Sequence, residues 1–423
     1  MIQALQSGIS GMNAFMSALN IIGNNISNVS TTAYKSQSTN FQEALSQTIK
    51  SASAPTDTTG GTNASQVGLG VTLGSISSDM TQGSLDSTGR TTDLAIDGNG
   101  YFILGDSSTV AYTRDGSCSL DSNYNLVGSS SGLYVLGWQA DSAGNIDTSA
   151  PITGASVIEI PVGGMSIAQQ TSDVDLTGNL NASTDAGSDY DVTFEIYDSL
   201  GETHQITVTF TKLAEDSTAT PPIEASTWQY EVYCDDAGAS AITTGNITFD
   251  ENGQSNLDSV DVSLTLTEDN GSLSPLNFTL DTSDITQLNS SNSTVSMNNQ
   301  DGKELGTLES YTIDSSGLIV GTFTNGLTKN LARIAVAGFN NPEGLEKLGN
   351  NLYKAGSNSG SAVIGTAGSS GLGSIKSGYL EASNVDLAAE FSNMIVAQRG
   401  FQANSKVITT ADDVLEQLVS LIR

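Results

Sequence analysis

A chain of 423 residues is long enough for about three domains. Its 37% apolar residues can build cores for them, although aromatics, at 6%, are few. Charged residues make up only 14% and are one-signed, with 46 Asp and Glu against 14 Lys and Arg, a net charge of −32 and a pI near 4.1. Such a surface repels phosphate backbones and excludes nucleic acid as a partner. No apolar run approaches the roughly 20 residues of a bilayer-spanning helix, so no membrane insertion is expected.

The first element is a helix within residues 2–30. It carries Leu5, Ile9, Met12, Met16, Leu19 and Ile26, and Leu5, Met12, Leu19 and Ile26 fall seven apart, a helical stripe. It runs into "NNISNVSTTAYK" (Asn24 to Lys35), whose Asn, Ser and Thr compete for their own backbone bonds and end helices. No basic residue precedes Lys35, so a secretory signal with a positive n-region is not expected. Residues 35–75 are polar, then Gly-rich ("TTGGTNASQVGLG"), and read as an extended connector.

From about residue 76 the pattern is β. Short alternating runs end in Asp-containing turns: "LGWQADSAGNI", "FEIYDSLGETHQITVTF", "NITFDENGQ" and "SYTIDSSGLIVGTF". An apolar residue, an Asp and then a Gly a few places on punctuates hairpins. Residues 76–159 with 303–382 are expected to form one β domain, and 160–302 an inserted, acidic, outward-facing one. Between Arg114 and Lys303 the only basic residue is Lys212, against 28 Asp and Glu.

The last element is a helix from Leu387. Leu387, Met394, Phe401, Ile408, Leu415 and Ile422 are all seven apart, with Ala397, Ala411 and Leu418 interleaved, a coiled-coil-like seam over about five heptads. Asp386 and Glu390 in its first turn complement the helix dipole. One such helix is ordinarily amphipathic and packed on its own domain. Two, one near each end, favour association with other helices and put residues 1–34 and 383–423 in one helical assembly domain. The fold class expected is mainly β with α-helical termini and two nested β domains.

Chemistry is sparse. His204 is the single histidine and reads as a surface strand residue rather than a catalytic or metal-binding one. "DENGQSNLDSVD" (250–261) has the alternating oxygens of a calcium loop, but Ser255 stands at its sixth position and its flanks are strands, so it reads as a turn. "GTAGSSGLG" lacks the Lys-Ser/Thr of a phosphate loop. Cys118 and Cys234 have no metal or redox spacing and are expected to be free. No enzyme, cofactor or metal is expected.

The motifs resemble those of the bacterial flagellar axial proteins, the hook, rod and hook-associated family. "NNISNVSTTAYKS" is similar to its Asn-Asn-x-x-Asn-x-x-Thr-x-Gly-[Phe/Tyr]-Lys signature, with Ala33 where Gly is usual; Asn24, Asn25, Asn28, Thr31, Tyr34 and Lys35 carry the match. "LEASNVDLAAEFSNMIVAQRGFQANSKVITTADDVLEQLVSLIR" resembles its closing helix, and "DLAIDGNGYFIL" and "YTRDGSCSLD" its shared β motifs. "NPEGLEKLGNNLY" and "FEIYDSLGETHQITVTFTK" are most similar to the hook branch.

What the resemblance implies is a self-assembling structural subunit. Copies would form a flexible, curved tube, a universal joint carrying torque from rod to filament. The stripe residues of both helices would be its subunit contacts. Rod and hook–filament junction proteins, the hook cap and the flagellar type III export apparatus would be partners, and the place would be outside the cell, with no cleaved signal. A distal-rod-like or hook-associated subunit is the second reading. A secreted β-rich adhesin is the third, which matched heptad stripes near both ends do not favour.

Overall fold

A computed structural model describes residues 2–55, 59–106, 109–215, 226–237, 240–266 and 271–421. The chain is mainly β with one long helix near each end, as its periodicities require. It divides into two compact units. One holds Met1–Ile160, Thr312–Val320 and Asn330–Arg423; the other holds Pro161–Tyr311 and Gly321–Lys329. The second unit thus takes in 303–311 and 321–329 besides the insertion bounded from composition: Ser166–Gln169 pairs along Lys303–Thr307, and Leu318–Phe323 is the next strand beyond Lys303–Ile313.

In the first unit, α1 (Ile2–Ser27) packs on α2 (Leu387–Leu421). Asp386 caps α2, its Oδ1 accepting from the Ala388 and Ala389 N–H at 2.8 and 3.2 Å. The expected connector is in fact a paired arm. Strand β1 (Gln37–Glu43) and β4 (Val71–Ser78) run antiparallel from Gln37↔Ser78 to Glu43↔Val71, and β2 (Ser46–Lys50) continues the ladder with β3 (Ser65–Gly68). Its side chains are mostly exposed, Leu45 at 82% and Ile49 at 70%, so it has pairing but no core.

The unit's core is built around strand Thr328–Gly338. Its residues from Ala332 on pair with Gly137–Gln139, Tyr101–Phe102 and Val363–Thr366. Tyr101, Ile103, Tyr112, Leu136, Trp138 and Tyr353 pack there, with Phe339 edge-on to Tyr101 and Tyr112. Two short ladders, Leu94–Asp97 with Ser374–Ser377 and Leu85–Ser87 with Tyr379–Glu381, lead to α2.

The second unit is a β-sandwich. One sheet has the order Ser259–Leu264, Leu276–Leu288, Asp173–Asn181, Ser296–Gln300. The other runs Asp189–Tyr197, Thr203–Lys212, Thr227–Cys234, Thr243–Thr248. Alternate residues point inward, so Val192, Phe194, Ile196 and Ile206, Val208, Phe210 meet Val260, Val262, Leu264 and Phe278 in one core around Trp228.

His204 is a correction. It lies on its strand as expected but is buried, with Nδ1 2.6 Å from Asp236 Oδ2. Neither cysteine forms a disulfide and both are buried, and burial pushes the Cys118 thiol up to about 12. Residues 250–254 form a turn whose Asp250 Oδ1 accepts from the Asn252 and Gln254 N–H. Among the described residues no group of three His, Cys, Asp or Glu side chains could hold a metal ion. No described helix is long and apolar enough to cross a membrane.

Candidate functional site: the helix pair and its buried joint

α1 contains no charged residue, so its only strong drive is apolar burial. What it buries against α2 is mostly small: Gly8, Gly11, Ala14 and Ala18, then Ile22 and Asn25. The small residues let the helices approach closely. A Cβ on Gly11 would stand 2.8 Å from Asn404 Oδ1, one on Gly8 3.2 Å from Ile408 Cγ1, and one on Gly400 2.5 Å from the Phe15 ring. Asn404, whose amide donates to Gly400 O at 2.9 Å, is a polar residue in the seam, of the kind that fixes register.

The structure separates the sequence-derived stripe residues into groups. Leu19, Ile26 and Met394 pack on Ala18, Ile22 and Ala397. Leu5, Met12, Phe401, Ile408 and Leu415 are half-buried, the last three on the α2 face that carries buried Ala397 and Ala411. Ile9, Met16 and Leu387 are exposed, at 48%, 48% and 39%. Ile422 lies outside the described residues. A second apolar set is also exposed, from 43% to 64%: Phe391, Ile395, Val396, Val407, Val414 and Val419, which the heptad count passes over, and Leu418, which that count places in the seam. Phe391 and Ile395 stand four apart, as do Val414 and Leu418, and Val407 lies seven before Val414, spacings that share a side of a helix.

The polar run after α1 is a hydrogen-bonded joint. Asn28 Nδ2 donates back to Asn24 O at 2.9 Å and Thr31 Oγ1 donates to Asn28 Oδ1 at 3.1 Å, which closes the last helical turn. Asn25 is fully buried; its amide donates to Gln37 O at 2.8 Å and its Oδ1 accepts from the Gln37 N–H at 3.0 Å, so it clamps β1 to the helix. The Tyr34 hydroxyl donates to Asn25 Oδ1 at 3.2 Å, and burial, with the Glu390 carboxylate nearby, raises its pKa. Ala33 sits at φ 57°, the left-handed region that explains why glycine suits this motif position.

Lys35 is fully buried. Its Nζ reaches Glu381 Oε1 and Thr81 O, both at 2.6 Å, and burial lowers its pKa while the Glu381 carboxylate opposes that. Glu381 is fully buried as well. Its Oε1 also accepts from the Gly83 N–H at 2.9 Å, its Oε2 lies 3.4 Å from Arg114 Nη1, and its backbone O accepts from the Ala33 N–H at 2.8 Å. Asn384 adds a second clamp, accepting from the Ser36 N–H at 2.8 Å and donating to Asp79 O at 2.9 Å. Glu381, Arg114 and Asn384 are members of the joint that local pattern did not reveal.

The joint ties the exit of α1, the entry of α2 and the base of the arm into one rigid corner. Nothing in it is arranged for bond-making: the carboxylate is saturated with donors. What remains available for function is the outer apolar surface of the helix pair.

Family models match four stretches of the chain. They are the flagella basal body rod protein over residues 5–35, the flagellar hook protein FlgE/F/G D1 domain over 95–181, the flagellar basal body protein FlaE D2 domain over 141–303, and the flagellar basal body rod FlgEFG protein C-terminal region over 376–421. Among curated relatives, the flagellar hook protein FlgE of Borreliella burgdorferi is 38% identical and that of Treponema pallidum 36% identical, each aligned over all of both chains. FlgE of Salmonella typhimurium is 35% identical over 99% of this chain and all of its own. With full-length identity of this order, the chain belongs to the flagellar hook protein family.

Proposed function

We propose that the chain is the structural subunit of a flagellar hook and acts by assembling with copies of itself into a tube. The observation that carries this reading is the exposed apolar side chains along α2, from Phe391 to Val419, on a helix already anchored through its seam with α1. A helix 35 residues long with seven large apolar side chains in water is an association surface. Burying each fully in a polymer contributes roughly 1.5–3 kcal/mol. The stripe residues left exposed, Ile9, Met16 and Leu387, add to that surface.

The tube serves as a bendable joint that transmits torque between rod and filament. Rod and junction proteins meet its two ends, a cap guides its growth, and the subunit reaches its place outside the cell through the flagellar export apparatus without a cleaved signal. These finer assignments follow the family reading. Electron microscopy of the purified chain under polymerising conditions tests the core of it. Wild type is expected to form hollow tubes, and Val414→Asp, on the exposed flank, to remain a folded monomer. Tubes of normal diameter from Val414→Asp would refute the use of this face.

A further inference from the structure

Where α1, α2 and β1 meet, the surface opens into a groove of about 260 Å³. Its walls include Phe15, Ile21, Ile22, Phe41 and Val396, and Glu390 stands among them. Glu390 Oε1 accepts from the Asn25 amide at 3.2 Å, but its Oε2 is buried and has no hydrogen-bond partner among the described residues. A carboxylate oxygen shielded from water and left without a donor is unfavourable, and a cation entering the groove would relieve it. Phe15 and Phe41 lie edge-on, 6.1 Å apart, beside it. Aromatic walls with a carboxylate suit a planar guanidinium better than a compact, strongly hydrated ammonium.

The arginines of this chain narrow the choice. Arg114 is committed to Glu381, Arg333 is half-buried, and Arg90 faces Asp93 at 3.9 Å. Arg423 lies outside the described residues, and Arg399 is exposed on α2 and bonded, among the described residues, only to Gln402 one turn on, at 3.2 Å. It cannot reach Glu390 of its own helix. Nine residues at 100° each bring it round about 900°, to the opposite side of α2, and about 13.5 Å further along the axis. Phe391, Ile395 and Arg399 follow one another at intervals of four, a single row of two exposed apolar side chains, at 51% and 58%, and a cation.

We infer that the groove of one copy receives the Phe391–Ile395–Arg399 row of a second copy, with the Arg399 guanidinium donating to Glu390 Oε2. The inference rests on the assembly reading above and gives it one specific contact. Row and groove lie on opposite sides of α2, so the contact is heterologous: each copy that donates a row still offers an empty groove. Such contacts propagate into open helical arrays rather than closed dimers.

The test uses the full chain. Arg399→Glu is expected to raise the concentration needed for polymer by about tenfold or more, and Arg399→Lys to recover only part of the loss. The monomer's far-ultraviolet circular dichroism should stay at wild type, since Arg399 is exposed. Glu390→Cys and Arg399→Cys chains, mixed and oxidised, should give a disulfide-linked pair absent from either alone. Polymerisation of Arg399→Glu at the wild-type concentration would overturn the pairing while leaving assembly intact, and so would a mixture that yields no cross-linked pair. Absence of polymer from wild type itself would remove the assembly reading and the pairing with it.

Discussion

Lys35 and Arg114 are both buried and share one carboxylate, Glu381. Removing the anion leaves two cations without compensation in a low-dielectric corner. Glu381→Gln is therefore expected to destabilise the first unit by about 3–5 kcal/mol, read as a lower thermal midpoint for that unit while the sandwich melts unchanged. Lys35 was legible as a motif residue, but the rest of its cluster was not: Glu381 is 346 positions away, and Arg114 lies between them, 267 positions before Glu381. An ion pair's partner is set by the fold, and no local spacing encodes it. Ala33 was visible only as a departure, and its φ gives the reason. The Asp residues that punctuate the hairpins carry a pH dependence of their own. The Asn125, Asn145 and Gln254 N–H groups hold the Asp121, Asp141 and Asp250 carboxyls below their ordinary pKa. The stability they add is complete above the unfolded value of about 3.9 and is lost as pH falls through the lower native values. The urea midpoint should be flat from pH 7 to 5 and fall below pH 4, and Asp250→Asn should lessen that fall in the second unit. A midpoint unchanged at pH 3 would sink this account.

At the scale of elements, the turns were the most readable part. Asp141–Asn145, Asp198–Glu202, Asp250–Gln254 and Asp314–Leu318 share one construction. The Asp Oδ1 accepts from N–H groups two and four residues on, and the Asp N–H donates to the carbonyl at the fourth. Gly144 and Gly253 supply the positive φ, 85° and 78°, that this turn requires. The helices were readable in existence and period, not in facing. A seven-residue repeat marks a stripe of large apolar side chains. It cannot tell that Gly8, Gly11, Ala14 and Ala18 make the closest contact, because small residues act through the space they leave. Phe401 lies half-buried on the seam side of α2. An Asp there adds a desolvation cost of several kcal/mol where α1 and α2 meet. Phe401→Asp should therefore release both helices in the monomer, seen as rapid proteolytic trimming from each end, whereas Val414→Asp should leave them protected. Equal protection of the two variants would show the α1–α2 seam to be unimportant in the monomer.

Charge is what distinguishes the two units across the whole molecule. Residues 161–311 hold 25 Asp and Glu against Lys212 and Lys303, so most of the net −32 resides in the second unit, while the helix pair is nearly balanced, with four carboxylates on α2 against Arg399 and Lys406. That asymmetry was readable from composition; the inclusion of 303–311 and 321–329 in the second unit was not, because it depends on strand pairing outside the two sandwich sheets. The sandwich has its own core from Val174 to Val295, and the fragment 171–302, which holds all eight of its strands, is expected to fold alone with one cooperative transition. We expect the sandwich to tune the polymer's shape rather than to permit its assembly. Copies repeated along a tube bring like-charged surfaces together, and salt screens them over a Debye length of about 8–10 Å. Contacts between such Ser-, Thr- and Asn-rich surfaces are wet and weak, of the kind that slide as a joint bends. A chain joining Ile160 to Thr312, with Gly321–Lys329 replaced by a short turn, should still polymerise through the helix pair. Its tubes should be straight, and their form indifferent to salt, where wild-type curvature changes between low and high ionic strength. Negative-stain microscopy of both chains at the two salt concentrations decides the matter. If the shortened chain keeps a folded first unit yet forms no tubes, the sandwich is part of the assembly machinery, and shape and assembly are not divided between the units.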